Sequence, residues 1–204
     1  MPWSEETAES EPPSHDGQQR KGGRVMRFAY ADPPYLGCCR LYDHRHDDGC
    51  WDDPDTHQAL IDRLCDEFED GWAMSAASTS LRTILPMCPE AVRVAAWVKP
   101  FCAFKKGVRP CYAWEPVIFW RGRNPSAGHP HPPPVKGGTQ TTPKDFLAES
   151  ITLKKGLTGA KPEKFCLWVA DLIGYRDGDE LVDIFPGTGI MGRALAQGVL
   201  IGRG

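Results

Sequence analysis

Four consecutive residues, Asp-Pro-Pro-Tyr at 32–35, combine groups that can act on the exocyclic amino group of a nucleobase. The lone pair of such an amino group is delocalised into the ring, so the nitrogen is a poor nucleophile until acceptors bind its two N–H bonds. The Asp32 carboxylate and the Pro33 carbonyl can supply both acceptors, and the Tyr35 ring offers a flat face for stacking a base. The same tetrapeptide is also compatible with a proline-rich turn, because short motifs often match by chance.

A short apolar strand is predicted directly before this tetrapeptide, over residues 25–31. Pro33 and Pro34 end the strand, because neither has an N–H for a strand ladder and each fixes its own φ. The residue before a proline is restricted to extended geometry. We therefore expect Asp32 and Tyr35 to be held stiffly at the carboxyl end of a strand, where α/β folds place their binding sites.

A second motif follows the strand predicted over residues 180–185, where Pro-Gly-Thr-Gly at 186–189 leads into a helix predicted over 190–197. Glycines let the backbone approach a ligand closely, and a helix N-terminus offers free N–H groups. Residues 187–192 also fit G-x-G-x-x-G, but a dinucleotide site needs an acidic residue about twenty positions further on. S-adenosylmethionine needs only a glycine turn flanked by an acid and an aromatic, which Asp183 and Phe185 supply, and it ranks above a dinucleotide.

The composition indicates a soluble, cytoplasmic protein with one folded domain. The chain has 204 residues, of which 41% are hydrophobic and 25% are charged. It contains no apolar run of the roughly 18–20 residues that a membrane helix needs, and its acidic start does not resemble a signal peptide. The eight cysteines are expected to remain reduced thiols, since no export signal accompanies them.

Charge is distributed unevenly along the chain. Residues 1–70 hold seven basic and seventeen acidic residues, a net charge of −10, whereas residues 99–164 hold twelve basic and four acidic residues, a net charge of +8. A localised basic region on an acidic protein favours contact with a polyanion at one surface. A solvated basic face without a partner gives the same count.

Strand and helix patterns alternate along the chain, which predicts an α/β sheet with helices on both faces. Residues 1–24 are predicted to be a disordered tail, and residues 25–204 a single domain. Helices are predicted over 56–70, 78–87 and 161–174. Further strands are predicted over 72–77, 92–98 and 112–120, the last one bulged or at a sheet edge because of Pro116. A final strand is predicted over 199–201, and residues 121–160 read as an irregular basic insertion.

The polar segment 36–53 follows the first motif and is a predicted substrate loop. It contains Cys38, Cys39, His44, His46 and Cys50, all of them residue types that bind zinc. Their spacing matches none of the common structural zinc patterns, so no metal is predicted.

Taken together, AYADPPY at 29–35, KP-x2-F at 161–165 and ELVDIFPGTG at 180–189 resemble the S-adenosylmethionine-dependent DNA amino-methyltransferases. WVKP at 97–100 and YAWEPVIFW at 112–120 are similar to the region that these enzymes carry between the motifs. The order of the motifs resembles the permuted beta group of N6-adenine and N4-cytosine methyltransferases. The resemblance covers about residues 25–201 and implies a Rossmann-like, mostly parallel methyltransferase sheet that is circularly permuted and truncated after the cofactor motif.

The resemblance also implies a set of site residues and a partner, which is double-stranded DNA with a flipped base. The catalytic residues would be Asp32, Pro33, Pro34 and Tyr35. The residues around S-adenosylmethionine would be Ala31, Asp32, Lys161, Pro162, Phe165, Asp183, Phe185, Pro186, Gly187, Thr188 and Gly189. Segment 121–160 would recognise the target, and the basic residues expected on DNA are Lys105, Lys106, Arg109, Arg121, Arg123, Lys136, Lys154 and Lys155.

Within the family, Asp-Pro-Pro-Tyr implies adenine N6 as the acceptor, and cytosine N4 and adenine in RNA are the alternatives. Chemistry at cytosine C5 needs a cysteine nucleophile after a proline, and Pro110-Cys111 has that order. No general-acid motif accompanies it, so Cys111 is predicted to be a packing residue. A methyltransferase-like module that only binds DNA or protein is the non-enzymatic alternative.

Two departures from the family pattern carry expectations of their own. The sequence reaches Gly204 before the acidic residue that the family uses for the ribose. This predicts weaker cofactor binding, or an acid supplied from elsewhere, such as Asp32 or a partner subunit. The recognition segment is short, which predicts low sequence specificity or a homodimer.

Overall fold

The structure, a computed structural model, describes residues 24–38, 50–101, 107–123, 143–151 and 160–201, with side chains as far as residue 197. Six strands and four helices lie in these ranges. The strands are β1 (Arg27–Ala31), β2 (Gly71–Ser75), β3 (Arg93–Val98), β4 (Trp114–Arg121), β5 (Phe146–Ala148) and β6 (Glu180–Asp183). The helices are α1 (Pro54–Glu67), α2 (Leu81–Ile84), α3 (Glu163–Leu172) and α4 (Ile190–Ile201), and single 3-10 turns flank α2.

The six strands form one sheet in the order β5-β3-β4-β2-β1-β6. The pairs β1–β2, β1–β6 and β3–β5 are parallel, whereas β4 is antiparallel to both of its neighbours. Five strands therefore run in one direction, and they define two edges of the sheet. We call the edge where β1, β2, β3 and β6 end the carboxyl edge, and the edge where they begin the amino edge.

Strand β4 lies in the interior of the sheet, so the prediction of a bulge or an edge strand at Pro116 is wrong. Its register with β3 runs without interruption from Trp114 to Phe119, and Pro116 pairs with Ala96. The Pro116 carbonyl accepts a hydrogen bond from the Ala76 N–H at 3.1 Å. In a strand, the nitrogen and the carbonyl of one residue point to the same side, so the Pro116 nitrogen also faces Ala76, just past the end of β2. The missing N–H therefore costs the sheet no ladder hydrogen bond.

Helices cover both faces of the sheet, as the alternating pattern predicts. On one face, α3 and α4 pack Phe165, Val169 and Met191 against side chains of β1, β3 and β4. On the other face, Leu64 of α1 and Ile84 of α2 pack against β1, β2 and β4. Burial of these two apolar clusters fixes the strand order, and the strand order decides which loops meet at each edge.

Two further elements differ from the sequence-based predictions. Strand β5 lies inside the segment 121–160 that was expected to be irregular, and its three residues pair with Ala96–Val98 of β3. Three residues are too few to show a period of two, so the sequence pattern does not reveal them. Residues 199–201 continue helix α4 rather than starting a strand. A glycine inside a helix costs only about 1 kcal/mol, and Gly198 does not end this one.

Several predicted features fall outside the described residues. These are the tail up to residue 23, residues 39–49 with Cys39, His44 and His46, and residues 124–142 and 152–159 of the expected insertion. In the described part, Cys38, Cys50, Cys65, Cys88, Cys111 and Cys166 are free thiols, and no group of three or more His, Cys, Asp or Glu side chains could hold a metal ion. Within the same residues, no helix has the length and apolar character needed to cross a bilayer.

Candidate active site

The two predicted motifs begin side by side at the carboxyl edge of the sheet. Strands β1 and β6 are parallel neighbours, and Tyr30 pairs with Asp183 in their register. The Ile184 N–H donates to the Tyr30 carbonyl at 2.9 Å, which extends the pairing one residue beyond β6. Asp32 therefore leaves β1 at the level at which the glycine-containing turn leaves β6.

Lys161 and Asp32 form an ion pair across 129 positions of the chain. The Lys161 Nζ lies 2.8 Å from both carboxylate oxygens of Asp32. Only 7% of the Lys161 side chain is exposed, compared with 21% for Asp32. A buried ammonium without a partner is costly, so the pair stabilises both charges at this position. Lys161, predicted to flank a cofactor, thus lies directly on the predicted catalytic carboxylate.

The hydroxyl of Tyr35 is held by three neighbours. It donates to Oε2 of Glu115 at 2.8 Å, it lies 3.3 Å from Oδ1 of Asp32, and it accepts from the Lys161 Nζ at 3.1 Å. Burial raises the pKa of Tyr35 well above its usual value, and the charges of Asp32 and Glu115 raise it further. The hydroxyl therefore stays protonated, and its hydrogen bonds fix the plane in which the ring lies.

Glu115 on β4 joins this group, although the sequence analysis does not identify it as a site residue. Its carboxylate pairs with the Lys99 ammonium, and Oε2 lies 3.7 Å from the Lys161 Nζ. Burial acts to raise the pKa of Glu115, but the charges of Lys161 and Lys99 and hydrogen bonds from Lys99 and Tyr35 lower it below its usual value. Asp32, Tyr35, Lys99, Glu115 and Lys161 form what we call the ionic cluster.

A sequence signal for Glu115 and Lys99 does exist. Each is a charged residue directly before a proline, at the end of an otherwise apolar strand segment, in WVKP and YAWEP. A charge in such a segment is rarely buried without a partner. The two residues could have been matched as a pair, but their contact with Tyr35 depends on strand order.

Asp183 ends strand β6 and carries the most perturbed carboxyl of the site. Burial raises its pKa to about 6, and the nearby Asp32 also raises it, while a hydrogen bond from the Phe185 N–H acts in the opposite direction. That N–H lies 3.3 Å from Oδ1 of Asp183. A half-buried carboxylate with this pKa favours a cationic ligand, since a positive charge would restore the ionised form.

The turn after Asp183 has the backbone geometry that its glycines predict. Gly187 and Gly189 have φ values of +45° and +67°, which other residues rarely adopt. An added Cβ at Gly187 would meet only a carbonyl oxygen at 3.7 Å, so conformation rather than space requires this glycine. Arg193 of α4 donates from Nη1 to the Thr188 carbonyl at 2.6 Å, and Pro186 and Gly187 are exposed. The turn thus presents open backbone next to the start of α4.

Phe185 lies half-buried between the turn and the start of α1. Its ring meets Trp51 edge-on, with ring centroids 5.2 Å apart. Trp51 is held in turn by His57, whose Nε2 lies 2.9 Å from the Trp51 carbonyl oxygen. Burial lowers the pKa of His57, so the imidazole is neutral near pH 7. Phe185 therefore has a rigid apolar support, which the sequence pattern does not indicate.

Three other predicted cofactor residues lie in the interior of the protein. Phe165 is fully buried, with its ring 5.0 Å from Trp97 and 6.1 Å from Tyr30. Ala31 is also fully buried, and Pro162 is buried as the N-cap residue of α3. These three residues pack in the interior, and their position beside a cofactor stays a prediction. Pro33 and Pro34 are buried as well, between the half-buried Asp32 and Tyr35.

The basic residues predicted to contact DNA do not meet at one surface. Arg109 lies in the connection between β3 and β4, at the carboxyl edge. Arg121 ends β4 at the amino edge, where its Nη1 donates to the Glu69 carbonyl at 3.0 Å. Arg123 is half-buried there and pairs with Asp179. Antiparallel β4 therefore carries Arg121 and Arg123 to the edge opposite Asp32, where both bind other parts of the protein. Lys105, Lys106, Lys136, Lys154 and Lys155 lie outside the described residues.

Cys111 is exposed, so the prediction that it packs in the interior is wrong. It lies in the connection that precedes β4, and this connection runs along the surface at the carboxyl edge. A cysteine in an irregular surface segment carries no periodic signal that distinguishes a packed side chain from an exposed one.

The ionic cluster can bind a neutral amino group and stabilise positive charge on it. A carboxylate has about four lone-pair sites, and the Lys161 ammonium uses two of those on Asp32. The remaining acceptor positions can take N–H groups from a substrate. Two carboxylates and two ammonium groups thus face one another in a half-buried site, where their opposite charges offset the cost of burial.

Comparisons with known proteins concern the fold. No family model and no curated protein matches the chain. Among solved structures, the crystal structure of the M1.HpyAVI–SAM complex matches with a TM-score of 0.51 and 16% identity, over 85% of this chain and 78% of that chain. The crystal structure of M1.HpyAVI matches with a TM-score of 0.49 and 13% identity, over 85% of this chain and 76% of that chain. The first match, together with the sheet, shows that the chain has a Rossmann-like methyltransferase fold.

Proposed function

We propose that this protein transfers a methyl group from S-adenosylmethionine to the exocyclic amino group of a base in DNA, with adenine N6 as the acceptor. One observation carries the proposal. The Asp-Pro-Pro-Tyr segment and the glycine turn leave neighbouring parallel strands at the same edge, and Tyr30 pairs with Asp183 between them. A donor held by one segment therefore lies next to an acceptor held by the other.

The residues around the turn suit S-adenosylmethionine, which is also named in the complex of similar fold. The half-buried Asp183 carboxylate suits the cofactor's ammonium group, because burial disfavours the negative charge of Asp183 and a neighbouring cation would stabilise it. The open backbone of Gly187–Gly189 and the half-buried Phe185 ring offer polar and apolar contacts beside it. When bound, the cofactor supplies an electrophilic methyl group.

Asp32 and the Pro33 carbonyl form the acceptor side of the proposed site. By accepting hydrogen bonds from the two N–H groups of the base, they hold its amino nitrogen in place and localise the lone pair on that nitrogen. As the nitrogen gains positive charge, the Asp32 carboxylate stabilises it. Lys161 pairs with that carboxylate and fixes its orientation.

Tyr35 is proposed to stack against a base that has left the duplex. Extruding a base costs a few kcal/mol, and one aromatic stack is worth about 1–3 kcal/mol. Hydrogen bonds to Glu115 and Lys161 already orient the ring, so little further ordering is needed on binding. Positioning of the two reactants then supplies much of the rate enhancement.

Incubation of unmethylated DNA with the full chain and labelled S-adenosylmethionine tests this proposal directly. Mass spectrometry of the digested nucleosides is expected to show N6-methyladenosine in its deoxy form. Label on cytosine N4 would change the acceptor and leave the mechanism intact, and label only in a parallel RNA incubation would move the activity to RNA. A lack of S-adenosylmethionine binding by calorimetry would contradict the proposal and favour a binding module.

Asp32→Asn is the sharpest variant of this test. The amide keeps the shape and one acceptor but loses the charge that stabilises the reacting nitrogen. We expect the rate to fall about 100- to 1,000-fold, the range for loss of one preorganised electrostatic contact, with cofactor affinity retained. Asp66→Asn is the matched control, because Asp66 is an exposed carboxylate on α1. Full activity of Asp32→Asn would rule out the proposed role.

A further inference from the structure

A groove of about 410 Å³ lies at the carboxyl edge of the sheet, and the proposed chemistry does not use it. It is lined by Ser78 and by residues of the connection that leads into β4, among them Arg109, Pro110, Tyr112 and Trp114. Its volume is within the range of about 300–1,000 Å³ that is typical of small-molecule sites. The groove is therefore large enough to take a nucleotide.

Two aromatic side chains are exposed in this groove. Tyr112 is 52% exposed and Trp114 is 38% exposed, which is unusual for large aromatics on a single surface. Exposed aromatics close to an active site are typical of surfaces on which unpaired bases stack. The groove thus has stacking faces as well as space.

Charge gives the groove a preference for a polyanion. Among the described residues that line it, Arg109 is charged and none is acidic. An aromatic surface with a cation and no carboxylate suits a nucleic-acid strand better than an acidic or neutral peptide.

The groove lies at the same edge of the sheet as the proposed catalytic residues. Trp114 is the first residue of β4 and Ser78 follows the end of β2, so both lie at the carboxyl edge. Strand β2 lies between β4 and β1, and β1 leads into Asp32 at that edge. Groove and ionic cluster therefore both lie at the carboxyl edge.

We propose that this groove binds the DNA strand next to the flipped target nucleotide, with Tyr112 and Trp114 stacking on its bases and Arg109 contacting its phosphates. This inference rests on the proposed function and adds to it the surface that receives the strand. It moves recognition from segment 121–160, expected from sequence, to the connection at 107–114. Stacking on bases is tolerant of sequence, so this surface contributes affinity with little sequence specificity.

Tyr112→Ala tests the stacking contact. Binding of a short fluorescein-labelled duplex with one unpaired adenine, followed by anisotropy, is expected to weaken by about fivefold or more, the lower limit for losing one base stack. Tyr112→Phe is expected to retain wild-type affinity, because the ring remains. Phe146→Ala is the matched control, since Phe146 is an exposed aromatic on β5 outside the groove. Equal affinity of Tyr112→Ala and Phe146→Ala would overturn the inference.

Arg109→Gln tests the phosphate contact. Its plot of log affinity against log salt concentration is expected to be shallower than the wild-type plot by about 0.9, the value for one lost phosphate contact. Arg93→Gln serves as the control, because Arg93 is exposed at the amino edge. An unchanged slope for Arg109→Gln would contradict the phosphate contact.

Cofactor binding and methylation by the same samples separate this inference from the proposed function. Wild-type protein that methylates DNA, with Tyr112→Ala raising KM for DNA at an unchanged kcat, supports both. Methylation with no change in KM for Tyr112→Ala overturns the inference that the groove binds DNA and leaves the proposed function intact. Absence of methylation and of S-adenosylmethionine binding by the wild type overturns the proposed function, on which the groove depends.

Discussion

The two edges of the sheet both carry ion pairs, but they use them differently. At the amino edge, charged side chains bind the backbone. Asp179 accepts from the Met26 and Arg176 N–H groups as well as from Arg123, and Asp70 accepts from the Arg27 N–H. At the carboxyl edge, the charged groups of the ionic cluster bind one another. The first arrangement fastens loops to strand ends, whereas the second is the one that we propose contacts a substrate.

The two edges differ in the groups to which their charged side chains form hydrogen bonds. A side chain that bonds a backbone N–H replaces a missing secondary-structure bond, so its loss weakens the fold. A cluster of ionised side chains costs desolvation energy and gives uncertain stability, so its presence in a half-buried site indicates another role. Variants at the two edges should therefore change different properties.

Arg123→Gln should have the largest effect on stability. Its guanidinium pairs with Asp179, and the two side chains are only 15% and 5% exposed. Leaving a buried charge without its partner is expected to lower the free energy of unfolding by about 3 kcal/mol, measured by urea denaturation. Activity per folded molecule should be unchanged. Arg93→Gln provides the exposed control, and an Arg123→Gln protein as stable as wild type would remove the contrast between the edges.

Acid should weaken cofactor binding through Asp183. Its pKa is raised to about 6 in the free protein, and a cationic ligand favours the carboxylate form, so affinity is lost as the pH falls through this value. Between about pH 8 and about pH 5 the affinity for S-adenosylmethionine is expected to fall about tenfold by calorimetry. Tyr30 and Cys166, which face Asp183, have raised pKa values and do not titrate in this range.

Asp183→Asn provides the control for this pH dependence. The amide does not titrate, so its affinity for the cofactor should be lower at neutral pH and flat across the range. An equally steep pH dependence in Asp183→Asn would assign the titration to another group and contradict the proposed role of this carboxyl.

Glu115→Gln should have the smallest of these effects on activity, since Glu115 supports Tyr35 and pairs with Lys99 but is not proposed to contact the base or the cofactor. Replacing the charged acceptor of the Tyr35 hydroxyl by a neutral one is expected to lower kcat/KM for DNA about fivefold. The pKa of Tyr35 should fall toward its ordinary value, because one of the negative charges that raise it is gone. Spectrophotometric titration of tyrosine measures this shift.

An unchanged pKa of Tyr35 in the Glu115→Gln variant would contradict the electrostatic coupling between these two residues at the carboxyl edge. Glu115→Asp keeps the charge on a shorter side chain, so it is expected to retain the raised pKa of Tyr35 even where hydrogen bonding is weakened. A Glu115→Gln enzyme with wild-type kcat/KM would show that the ionic cluster is structural like the amino edge.

Local signals made much of the fold predictable. The Asp-Pro-Pro-Tyr segment ends β1 because two prolines lack N–H groups, and the glycine turn ends β6 because Gly187 and Gly189 adopt positive φ. Helix α3 follows from the apolar period that ends in Ile173 and from Pro162 before its first turn. Each of these features depends on residues within one or two turns of one another.

Other features were beyond local patterns. The missing N–H of Pro116 favours an edge strand, yet Pro116 lies in the interior strand β4, at a position just past the end of β2. Basic residues Arg121 and Arg123 are close in sequence to the expected recognition segment, but the direction of β4 takes them to the amino edge. Strand direction is a property of the whole sheet, so charge counting does not assign residues to a surface.

The sequence alone determined which short segments are stiff, which turns need glycine and which residue types could accept an amino group, because those properties depend on covalent geometry and near neighbours. Tertiary structure decided that Lys161 lies on Asp32 and that Glu115 reaches Tyr35, across 129 and 80 positions of the chain. Burial of the two apolar clusters sets the strand order, and the strand order brings these charges together. Contacts of this kind arise only when the whole sheet assembles.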